Sequence, residues 1–116
     1  MRRIAPLLGL IAGLAVIMPA QASAGRVYEG DEAAALRCAN TLALTAVALS
    51  AAELIGEDEK EVILGITVRI LDRHVSGTWR QKKAAMVQMR DRRGVVDTLE
   101  DYRRNAGQCL KQFPIN

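Results

Sequence analysis

Residues 36–55 read LRCANTLALTAVALSAAELI, and they carry no charge between Arg37 and Glu53. Fifteen uncharged residues in a row fall short of the roughly 20 that a membrane-spanning helix needs. The run also holds Asn40, Thr41, Thr45 and Ser50, whose polar groups a lipid-facing helix would have to satisfy. At 100° per residue Leu36, Leu44, Val47, Leu54 and Ile55 fall on one side, and Cys38, Leu42 and Leu49 on roughly the other. Alanines and hydroxyl residues fill the flanks, so neighbouring helices can approach closely. A helix that is apolar nearly all round is one buried by several neighbours. The stretch is therefore expected to be the central helix of a soluble bundle, ending at Ile55 with Gly56 as its stop.

The chain upstream has the layout of an export signal. Arg2 and Arg3 precede an apolar run from Ile4 to Met18, and Ala22-Ser23-Ala24 supplies a small-residue cleavage site. Residues 1–24 are read as a signal peptide, with cleavage after Ala24 or, alternatively, after Ala22. Residues 25–116 then form a single helical domain in the periplasm or outside the cell, with no membrane span after cleavage. Without Arg2 and Arg3 the domain holds 14 basic and 13 acidic residues, so the high whole-chain pI is not a nucleic-acid signature. The charges are segregated along the sequence: residues 25–76 carry a net −4 and residues 77–116 a net +5.

An exported chain meets an oxidising compartment, and its two cysteines, Cys38 and Cys109, are expected to pair. The bridge would staple the last helix to the first and stabilise a domain too small for a large core. No C-x-x-C is present, so neither thiol exchange of the thioredoxin kind nor c-type haem attachment is implied.

Asp31 is read as the N-cap of the first helix, with Glu32 in its first turn. Glu57–Glu61 is acidic and begins the next element. Residues 62–75 are ambiguous: Ile66-Thr67-Val68-Arg69-Ile70 alternates like a strand. No second strand-like run exists to pair with it, and the polar side made by Arg69, Asp72 and Arg73 favours a helix ending at Ser76-Gly77. Thr78 caps a third helix starting at Trp79. The apolar stripe shifts phase at Gly94, which marks a break before a last helix ending near Phe113. The fold expected is all-α, a small antiparallel bundle of about four helices.

Chemistry-bearing motifs are few. His74 is the only histidine, and no serine or cysteine sits in a nucleophile context, so no enzyme is implied. Met86 and Met89 have the soft sulfurs that suit Cu(I), yet methionines three apart on a helix are mostly core filler. The acidic run at residues 57–61 lacks the alternating ligands of a calcium loop. No metal and no cofactor is expected.

The basic half is the main surface feature, with Arg80, Lys82, Lys83, Arg90, Arg92, Arg93, Arg103, Arg104 and Lys111. Aromatics are too sparse for base stacking, and an exported protein is a poor match for nucleic acid. The expectation is a non-enzymatic protein that binds a macromolecular partner, another protein or an anionic envelope component. The candidate contacts are Trp79, Arg80, Lys83, Arg90, Arg92 and Arg93. Two alternatives are a small apolar ligand held inside the bundle and an acid-stress chaperone that loosens between about pH 5 and 3.

Overall fold

The computed structural model describes residues 26–116, and the regular structure there is four helices: α1 (Gly30–Ala51), α2 (Glu57–His74), α3 (Trp79–Arg92) and α4 (Val95–Gln112). The signal peptide expected at residues 1–24 lies outside the described residues. No strand occurs among the described residues.

α1 is the hub. The other three helices all pack on it, α2 most extensively and α3 least. Ala35, Leu36, Cys38, Ala39, Leu42 and Ala46 are buried, together with Asn40, Thr41 and Thr45. The small residues in this set let three neighbours close on one helix, as the alanine-rich flanks predict. Leu36, Ile70 and Leu71 form the centre of the core, and Val75 and Phe113 close one end of it. By length and composition α1 could cross a membrane, with a mean hydropathy of 1.4, but half of its apolar window is buried inside the bundle.

α1 ends at Ala51, four residues before the expected Ile55. Glu53 N–H donates to Ser50 O at 3.0 Å and Leu54 N–H donates to Leu49 O at 2.9 Å. This pair of bonds is a Schellman stop, whose left-handed position falls on Glu53 at φ 59°. Gly56 is the N-cap of α2 instead, and Leu54 lies beyond the helix end, exposed. A non-glycine residue in the left-handed region is strained. Glu53→Gly is therefore expected to raise stability by about 0.5–1 kcal/mol, part of the relief being offset by greater freedom of the unfolded chain. Urea denaturation measures it, and an unchanged or lower midpoint would contradict the assignment.

Residues 62–74 are helical, and Val75 is the extended residue that ends α2. The strand alternation gives way to a 3–4 spacing in which Ile63, Thr67, Ile70 and Leu71 face α1 and Val68 and Arg69 face outward. Thr67 is buried, and its hydroxyl donates to Ile63 O at 3.0 Å. Glu59 reaches back to the Gly56 N–H, and Glu57, Asp58 and Glu59 occupy the first turn, where negative charge suits the helix dipole. Gly65 is exposed mid-helix, with nothing within 4 Å of where a Cβ would stand. Gly65→Ala should accordingly stabilise the fold by about 1 kcal/mol, read as a higher thermal midpoint with unchanged helix content.

Ser76, Gly77 and Thr78 turn the chain into α3. Gly77 has φ 95°, and a Cβ there would come within 2.7 Å of the Arg26, Tyr28 and Gln81 side chains. Thr78 caps α3 as expected: its hydroxyl accepts from Gln81 N–H at 3.1 Å while Gln81 Oε1 accepts from Thr78 N–H at 2.9 Å. The break between α3 and α4 falls at Arg93-Gly94, with Gly94 as the N-cap of α4.

α4 runs antiparallel to α1. Cys38 and Cys109 are bridged, their Cα atoms 5.6 Å apart and 71 residues apart in sequence. Further along, Thr41 Oγ1 donates to Asp101 Oδ2 at 3.1 Å. The first described residues and the C-terminal residues meet at the end of α2. Tyr28 Oη donates to Ser76 O at 2.7 Å, and Glu32 accepts from the Ser76 amide at 2.6 Å and its hydroxyl at 2.5 Å. From the other terminus, Pro114 O accepts from His74 Nε2 at 2.7 Å, and Asn116 O accepts from Arg73. The first helix begins at Gly30, with Glu29 rather than Asp31 as its N-cap.

Candidate functional site

The basic half does not form one continuous face. Lys82 is buried, and its ammonium donates to Leu71 O at 3.0 Å, at the C-terminal turn of α2. Arg93 is half-buried and pairs with Asp101 at 3.4 Å. Arg103 and Arg104 share Glu100, each at 3.3 Å. Arg80 and Arg92 are exposed on α3. The remaining candidates, Trp79, Lys83 and Arg90, come together on the same side of α3, at positions four and seven residues apart.

That side of α3 forms one wall of a cleft. Asn40, Ala43, Leu44 and Val47 of α1 line the second wall, and Leu64, Thr67, Val68 and Leu71 of α2 the third. Met86 and Val87 complete the α3 wall between Lys83 and Arg90. The cleft encloses about 390 Å³, within the range of small-molecule sites. Val47, Val68, Trp79 and Val87 are all exposed large apolar side chains, and all four converge on it. Trp79, the only tryptophan of the chain, is 52% exposed at the rim. Scattered exposed apolar residues are ordinary, whereas a contiguous set around a concavity marks a contact surface.

No family model, curated protein or solved structure matches this chain. What the cleft does is therefore argued from its own residues.

Two features of the lining stand out. Among the described residues the charged ones in the lining are Lys83 and Arg90, and no acidic side chain lines the cleft. Lys83 forms no ion pair among the described residues, and Arg90 makes an exposed contact of 3.5 Å with its neighbour Asp91. The second feature is Asn40, 2% exposed, whose Nδ2 has no hydrogen-bond partner among the described residues. A buried donor left unpaired costs about 1–3 kcal/mol, and Asn40 Nδ2, like Thr45 Oγ1 on the same helix, is out of reach of solvent.

The other candidates have structural partners. His74 packs edge-on against Phe113, ring centroids 5.4 Å apart, and holds the C-terminal segment. Met86 and Met89 pack against the core, and Met86 also lines the cleft. The acidic start of α2 is solvent-exposed apart from Lys60, which pairs with Glu57 at 3.0 Å. Lys82 could have been found in the sequence, since it shares the 3–4 stripe of Ala85, Met86 and Met89. Asn40 and the cleft itself had no local signal.

Two carboxylates tie α1 to its neighbours and are held below their usual range. For Glu32 the cause is first the Ser76 hydroxyl, then the Ser76 amide. For Asp101 burial pushes upward but is outweighed by hydrogen bonds from Asn105 and Thr41 and by Arg93. A carboxyl whose folded pKa is depressed stabilises the fold above its unfolded pKa and loses that contribution as pH falls through the folded value. The ordinary values are 4.5 and 3.8. Stability should hold down to about pH 5 and fall progressively below pH 4.5. In Glu32→Gln and Asp101→Asn the acid slope should be shallower, as measured by urea midpoints across pH 3–7. A slope identical to that of the unaltered protein would contradict the roles given to the two ties.

Proposed function

We propose that this is an exported, non-enzymatic binding protein whose working surface is the cleft between α1, α2 and α3, where it holds a small apolar or amphipathic ligand. The observation that carries this is the convergence of Val47, Val68, Trp79 and Val87 on one concavity of ligand size. The disulfide is compatible with export, and periplasmic placement remains part of the proposal. Lys82, Arg93, Arg103 and Arg104 already have partners inside the molecule, which weakens the case for a broad basic docking face.

The test is titration with the neutral apolar dye N-phenyl-1-naphthylamine at neutral pH. Saturable binding to one site is expected, with quenching of Trp79 emission. Ala43→Phe, which fills the cleft from α1, should abolish both without lowering the thermal midpoint. Absence of saturable binding, or binding untouched by Ala43→Phe, would overturn the assignment.

A further inference from the structure

We propose that the cleft's occupant is a single-chain amphiphile with a carboxylate head, a free fatty acid in chemical class, its tail along the apolar walls and its head at the cationic rim. This rests on the cleft being a ligand site and adds the chemistry of what enters it.

Size argues for a small ligand over a peptide. The α1 wall runs from Asn40 to Val47 and the α2 wall from Leu64 to Leu71. Each wall is about two helical turns, or roughly 10 Å long. A helical peptide with its side chains is itself about 10–12 Å across. A stable protein interface also needs about 800 Å² from each partner. A flexible apolar chain fits such a slot lengthwise and meets only hydrocarbon there, from Leu44, Val68, Met86 and Val87.

Charge argues for an acidic head. Lys83 and Arg90 line the cleft with no carboxylate beside them in the lining. The exposed Arg90–Asp91 contact is weak, and a ligand carboxylate can replace it. Lys83 and Arg90 stand about two turns apart, roughly 10 Å along α3, so the carboxylate head pairs with one of them. A neutral or cationic amphiphile would leave both unanswered.

The experiment uses the full domain with its disulfide intact, below the micellar concentration of each probe. Dodecanoate, dodecanol and dodecyltrimethylammonium are compared by Trp79 emission and by calorimetry. Dodecanoate should bind about tenfold tighter than dodecanol, the cationic probe weakest of all, and the preference should shrink in 0.5 M salt. The double variant K83E/R90E, altered at two exposed positions, should lose about tenfold for dodecanoate and nothing for dodecanol. Equal binding of dodecanoate and dodecanol, unaffected by K83E/R90E, would overturn the acidic head while leaving the cleft as an apolar site. If no probe binds, and the neutral dye does not bind either, both assignments fall together.

Discussion

Replacing Cys38 and Cys109 together by alanine is expected to lower stability by about 4 kcal/mol. The bridge spans 71 residues, so breaking it returns a large loop entropy to the unfolded chain. Such a loss is most of what a domain of this size can spare, since small domains are stable by only about 5–15 kcal/mol. The effect should also be uneven. α4 packs extensively on α1 alone, with no comparable contact to α2 or α3. Its remaining anchors are the Thr41–Asp101 hydrogen bond, the buried Phe113 and the C-terminal contacts to Arg73 and His74. Hydrogen exchange in the double variant should therefore speed up across Val95–Gln112 before it does so in α2. A midpoint within about 1 kcal/mol of the unaltered protein, with α4 protected as before, would contradict the stapling role.

Leu36→Ala should cost about 3 kcal/mol, within the 2–5 kcal/mol range for large-to-small changes in a core. Leu36 is fully buried among Ile70, Leu71, Val75 and Phe113, and belongs to the helix on which all the others pack. Its buried apolar neighbours on α1, Ala35 and Ala39, are too short to reach into the space it leaves. The variant should unfold at lower urea with an unchanged slope. Leu54→Ala, at a residue 71% exposed, should change stability by less than about 0.5 kcal/mol. If the two variants behave alike, the centre of the core has been misplaced.

Much of the architecture could be read from residue order because the signals are local. Thr78 marks the cap of α3, Gly94 interrupts the stripe where α3 gives way to α4, and an even count of two cysteines suggests the bridge. α1 stops four residues before Ile55 because a left-handed glutamate at position 53 does the work expected of Gly56, and no local pattern announces that. Residues 62–75 are ambiguous alone: helix or strand is decided by which of Ile66, Val68 and Ile70 share a face against α1, a tertiary fact. The cleft is further still from the sequence. Trp79, Lys83 and Arg90 are three of the six candidate contacts named from the sequence, and their sharing one cleft wall appears only in the fold. Lys82 falls on the stripe of Ala85, Met86 and Met89 and can be read as inward, whereas nothing local announces that Arg93 pairs across the break with Asp101. Asn40 reads as one polar residue in an apolar helix, and its burial appears only when other helices stand beside it.

An occupied cleft is most directly told from an empty one by the native mass of the protein purified from its own cells, compared with its denatured mass. The account predicts a native species heavier by a single small molecule of a few hundred daltons, released on denaturation. The same species is expected to be absent from the cleft-filling variant Ala43→Phe. A native mass equal to that of the bare chain, in both the unaltered protein and the variant, would contradict it.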